Sequence, residues 1–277
     1  MKKAVDFINV IIPFIIAIAI QALVVMLYEL VVLIRYFISN GTDLNAIANG
    51  FVENMEAAHQ LAMSIFIASL CLVIFGIWYN KLNRNGMVRQ AGKIFSIKLV
   101  ISILFLGIGA QISLSLMLNI MISIRPEWFR SYGQVMDQLG GGNSLLSVIY
   151  IGLIAPFSEE FIFRGITLKK AQKVMPFMGA NIMQAMLFGI YHGNVVQGIY
   201  AFALGMLLGF ICYRLSLFVA VLLHMVINIS GILLGYIDTD KLIDPQGFWI
   251  ILAVTGIGFF IIGTILLLKN TITSINE

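Results

Sequence analysis

The sequence predicts an all-α fold: a polytopic membrane helical bundle of about eight transmembrane helices, with the N- and C-termini cytoplasmic. Three observations carry this expectation. Of the 277 residues, 60% are hydrophobic and only 11% charged, whereas a soluble domain carries about 25% charged residues. Apolar runs of ~20 residues, long enough to cross a bilayer, recur along the chain. Basic residues collect on alternate loops, as the positive-inside rule requires of cytoplasmic ones.

The first element follows Lys2 and Lys3. A secretory signal peptide would have an apolar stretch of ~7–15 residues. Here the apolar character runs on, so Phe7–Ile38 reads as an uncleaved first span. His59–Tyr79 and Ile94–Ser123 follow, and a glycine run, Gly140–Gly142, then breaks the chain. This divides an N-terminal three-helix region, residues 1–140, from a core over 145–236 and a last helix over 248–268. The core spans are Leu145–Phe163, Phe177–His192, Gln197–Tyr213 and Leu217–Tyr236, and the last helix is Phe248–Leu268. Ala201, Gly205 and Gly209 recur every fourth residue in the sixth span, a spacing that lets helix backbones approach closely in lipid.

Eight spans put both termini on one side. With the N-terminus in the cytoplasm, twelve lysines and arginines fall in inner loops, and only Arg125, Arg130 and Lys241 in outer ones. The outer loops also hold Asp43, Glu53, Glu56, Asp238, Asp240 and Asp244. The net charge of +4 therefore reports membrane topology, and no nucleic-acid partner is expected. The expected surroundings are a cell membrane and its lipid bilayer. Cys71 and Cys212 both lie in apolar spans, where free cysteine serves as packing.

Against this background a few polar residues stand out. Glu159 and Glu160 lie side by side in the fourth span, with Arg164 one helical turn on and Pro156 just before them. Intramembrane acids cost a few kcal/mol or more and usually face protein or a water-filled cavity. Residues four apart share a helix face, and neighbours point ~100° apart. Glu160 and Arg164 are thus placed to pair, while Glu159 points to another partner. Pro156 frees a backbone carbonyl. His192 follows Phe188 by four residues, and Asn228 follows His224 by four. Glu29, beside Tyr28, is read as hydrogen-bonded to another helix.

These side chains admit two hydrolytic schemes. In one, Glu159 and His192 polarise a water, and His224 with Asn228 stabilises the oxyanion. In the other, a divalent metal such as Zn2+ is held by Glu159, His192 and His224, and one Glu remains as base. There is no His-Glu-x-x-His helix, no Gly-x-Ser-x-Gly elbow and no Walker loop.

The three motifs, Glu-Glu-x-x-x-Arg, Phe-x-x-x-His and His-x-x-x-Asn, resemble those of the CPBP family of intramembrane proteases, also called the Abi or CAAX-protease and bacteriocin-processing family. The resemblance runs from about Leu145 to Gly235. It implies a membrane core with a water-accessible cavity and endopeptidase action on membrane-associated peptides or proteins. By motif, Glu159 would be the water-activating base, and Glu160 with Arg164 would orient the site. His192 would assist the base or bind metal, and His224 with Asn228 would stabilise the oxyanion or bind metal. Two other readings are a non-catalytic scaffold or peptide-immunity factor of the same fold, and a proton-coupled transporter. For His192 to meet Glu159, the fifth helix must start shallow, around Lys173–Phe177, or the span limits must shift.

Overall fold

The computed structural model describes residues 2–40, 57–83, 96–139, 144–237 and 245–273. Nine helices account for nearly all of them. They are α1 (Lys2–Asn40), α2 (Ala57–Leu82), α3 (Ile97–Ile124), α4 (Phe129–Gln138), α5 (Leu145–Ala171), α6 (Phe177–Tyr191), α7 (Val195–Arg214), α8 (Leu217–Gly235) and α9 (Pro245–Thr273). Among the described residues there is no strand. The Gly140–Gly142 break and the acids Asp43, Glu53, Glu56, Asp238, Asp240 and Asp244 lie outside the described residues.

Helix starts follow from short polar residues that satisfy otherwise unpaired backbone N–H groups. Ser96 accepts from Leu99 N at the head of α3, Asn194 from Gln197 N at α7, and Ser216 from Val219 N at α8. Ser144 and Ser147 form a reciprocal capping box at the start of α5. Between α6 and α7 the chain turns within three residues, because Gly193 adopts φ +65°, a conformation open to glycine without a Cβ clash.

Seven helices, all but α4 and α6, are long and apolar enough to cross a membrane, as befits a multi-pass membrane protein. Large apolar side chains such as Ile38 (77% exposed) and Leu145 (76%) point outward, as a lipid-facing surface requires. The fifth expected span, α6, has 15 residues. At 1.5 Å per residue that is ~22 Å, short of a ~30 Å hydrocarbon core. The fourth span runs on to Ala171, eight residues beyond the expected Phe163, so the Glu159–Arg164 segment lies inside the helix. The longer α5, followed by a short α6 at almost the expected limits, lets the motifs meet.

Packing follows small residues. α3 runs antiparallel to α9, where Gly109, Gly256 and Gly263 admit the opposing backbone or side chain. α3 also lies along α8, with Gly107 against Val226. Ala201, Gly205 and Gly209 sit where α7 meets its neighbours: Gly205 lies against Ala185, and Gly209 against Asn181 and Gln184 of α6. Asn181 and Gln184 fasten this contact by donating to the carbonyls of Met206 (3.0 Å) and Gly205 (2.8 Å). Glu29 departs from its expected burial and lies on the exposed side of α1.

Candidate active site

The site is built around an irregularity in α5. Its backbone widens into π-helical turns over Tyr150–Ile154 and again over Phe161–Leu168. In the first of these, Ala155 N–H bonds to Tyr150 O. The next carbonyl, Ile151 O, would then need the N–H of Pro156, which has none. Asn228 on α8 supplies the missing donor: its Nδ2 bonds Ile151 O at 2.8 Å. A buried carbonyl without a partner is costly, so the proline and the asparagine specify each other across two helices.

One turn further on, the two glutamates diverge. Glu160 is wholly buried. Its Oε1 accepts from Arg164 Nη1 at 2.7 Å and meets His224 Nδ1 at 2.9 Å. Arg164 is also wholly buried and stacks over the Phe188 ring, 4.3 Å from its centroid. Glu159 keeps 14% of its side chain exposed, and its Oε2 lies 3.8 Å from His224 Nε2, beyond a direct hydrogen bond. His224 therefore stands between the pair, with one nitrogen to each acid.

A cavity of about 450 Å³ opens beside this arrangement, within the ~300–1,000 Å³ range of ligand pockets. Glu159, His192, His224 and Asn228 line it, whereas Glu160 and Arg164 lie behind the wall. His192 caps the end of α6, with its Nδ1 bonded to Phe188 O at 2.8 Å. Its ring faces Phe188 edge-on at 4.8 Å, and Phe188 also meets the His224 ring, at 6.0 Å. Among the described residues His192 makes no ion pair with Glu159 or any other carboxylate. It shares the cavity with Glu159 without touching it.

The metal scheme asks Glu159, His192 and His224 to converge on one point. Among the described residues no group of three His, Cys, Asp or Glu side chains is placed to hold a metal ion. His224 Nδ1 and His192 Nδ1 are hydrogen-bonded, which leaves the Nε2 of each as the nitrogen that could meet a water, a substrate or a metal ion.

Several wall residues escape a sequence reading that follows only charges and histidines. Gln111 and Ser115 of α3, Tyr132 of α4, Tyr150 of α5, and Gln197 with Tyr200 of α7 all line the cavity. Tyr200 interacts with both Gln197 and Tyr132. Burial pushes the Tyr132 hydroxyl above its ordinary range, leaving it a neutral donor. The available signal was uncharged polar residues inside apolar spans, each of which must find a partner or line a cavity.

The fold and site thus define a polytopic membrane bundle with a carboxylate–imidazole centre in a cavity between its helices. Residues 141–230 match the family model described as type II CAAX prenyl endopeptidase Rce1-like, which belongs to the CPBP family that the three motifs resemble. No curated protein and no solved structure matches the chain.

Proposed function

We propose that this protein is an intramembrane endopeptidase of the CAAX-protease type, in which Glu159 activates a water molecule against a peptide carbonyl. One observation carries the reading: of two adjacent acids inside one apolar helix, only Glu159 lines the cavity, 3.8 Å from His224 Nε2. The family match over 141–230 supports the same reaction class.

The geometry suggests how the residues share the work. Glu160 holds the Nδ1–H form of His224, which turns the Nε2 lone pair towards Glu159. A water at ~2.8 Å from both Glu159 Oε2 and His224 Nε2 would see them at roughly a right angle, so both can accept from it. Glu159 takes one proton as the oxygen attacks the carbonyl, and later returns it to the departing amine. Asn228 uses one N–H on Ile151 O and has a second, which can meet the developing oxyanion. His192 presents its remaining nitrogen to the same cavity as a substrate contact.

The test is cleavage of a quenched-fluorescent peptide mixture by purified protein in liposomes. Glu159→Gln is expected to lower the rate ~10²–10⁴-fold, the usual worth of a general base, and His224→Ala similarly. Wild-type activity should survive chelation. Full activity in both variants would sink the proposal.

A further inference from the structure

We infer that the site takes its peptide from the non-cytoplasmic side of the membrane; this rests on the endopeptidase reading for the word peptide, but not for the sidedness. The argument joins the helix directions to the charge distribution.

One end of the bundle collects the start of α1 and the ends of α2, α5, α7 and α9. Lys170 Nζ donates to Asn9 O at 3.2 Å, and Lys169 contacts Asn83 and Tyr79, which ties α1, α2 and α5 together there. Among the described residues this end carries Lys81, Lys98, Lys169, Lys170, Lys173, Arg214 and Lys269, with Asp6 as its acid. The opposite end carries Arg35, Arg125 and Arg130, accompanied by Glu127 and Asp137, and Arg125 is paired with Glu127 at 3.6 Å. Cytoplasmic ends collect lysine and arginine, so the first end is the cytoplasmic one.

The cavity belongs to the other end. It runs from Glu159 and His224 out to Leu139 after α4, Ile237 after α8, and Phe248 and Trp249 at the head of α9. Towards the basic end the same helix closes the path: Ile162, Phe163, Ile166 and Leu168 of α5 are all buried. Over the mouth lies α4, which turns Tyr132 and Met136 into the cavity and leaves Arg130, Gln134 and Asp137 exposed. Asn194 Nδ2 holds it in place through Ser131 Oγ at 2.8 Å. The catalytic centre is therefore reached past a polar-faced helix on the side away from the cytoplasm. A chain or peptide presented on that side can reach Glu159, whereas one in the cytoplasm meets the packed half of α5.

Cysteine labelling of the full chain in intact cells decides the sidedness without requiring activity. Asp137→Cys, at the mouth, and Lys173→Cys, at the basic end, both replace exposed residues outside the site. A membrane-impermeant maleimide is expected to label Asp137→Cys in intact cells and Lys173→Cys only after permeabilisation, each read against the parent protein. The reverse pattern would overturn the inference. Sealed vesicles of the two orientations add the functional readout: impermeant peptides should be cleaved by right-side-out vesicles, and cleavage by inverted vesicles alone would also overturn it. Absence of cleavage in both would defeat the endopeptidase reading, while the labelling result would still fix the face on which the cavity opens.

Discussion

The buried pair Glu160–Arg164 offers a quantitative test of what holds the site together. Both side chains are wholly inaccessible and meet at 2.7 Å. Removing one member of such a pair strands the other charge without solvent, which costs ~3–5 kcal/mol. In Arg164→Met, Glu160 keeps its contact to His224 Nδ1, so the lower part of that range, ~3 kcal/mol, is expected. The guanidinium also stacks on Phe188, and the methionine retains much of that apolar contact. For a chain of this size ~3 kcal/mol corresponds to a Tm lower by roughly 6–12 °C. Glu160→Gln should be destabilising as well, since it leaves Arg164 charged and buried. The double variant, neutral at both positions, is expected to lose less than the two single losses together, with a coupling of ~1–3 kcal/mol. Thermal unfolding of the purified proteins in one detergent, followed by circular dichroism, measures all four corners of the cycle. An unchanged Tm for Arg164→Met, or strictly additive losses, would refute the account of the pair as a mutually compensating buried ion pair.

Two further expectations follow from the packing around the site. Asn228→Ala leaves Ile151 O without its donor and should cost ~1–3 kcal/mol; Pro156→Ala, which restores an N–H to α5, should reduce that cost, and additive losses in the double variant would disprove the proline–asparagine complement. Gly209→Ala would drive a methyl group into Asn181 Oδ1 and Gln184 Nε2, prying α7 from α6 at ~1–3 kcal/mol, measurable in the same unfolding assay, and a neutral result would show that this contact is looser than described.

Much of this was legible in the sequence because hydrocarbon makes polar residues conspicuous. Glu160 pairing with Arg164, Glu159 pointing elsewhere, and His224 sharing a face with Asn228 all follow from helical spacing within apolar runs. The freed carbonyl before the acids was readable from Pro156, but not that Asn228 would fill it, since that partner comes from another helix 77 residues away. The span limits were less legible. Thr167, Lys169 and Lys170 lower the apolarity of the last turns of α5, yet Thr167 Oγ1 bonds back to Ile162 O and Lys170 reaches Asn9 O, so the helix continues where hydropathy alone ends it. The uncharged cavity residues Gln111, Gln197 and Tyr200 carried no motif, and only the packing of α3 and α7 brings them to the site.

The adjacency of the two acids is itself informative about mechanism. Neighbours on a helix diverge by ~100°, so a single dipeptide places one carboxylate in the cavity wall and one behind it. The hidden carboxylate has Arg164 and His224 as partners. It is not among the residues that line the cavity. The forward one forms no ion pair with Arg164 at contact distance, keeps part of its surface in the cavity and lies 3.8 Å from the imidazole that its neighbour orients. A base that must take up and release a proton in each turnover needs the second environment, and a residue that fixes an imidazole tautomer needs the first. Exchanging the two roles would require Arg164 to sit four residues after Glu159, at Phe163. On the proposed endopeptidase reading, the position of that one arginine is what favours Glu159 over Glu160 as the base.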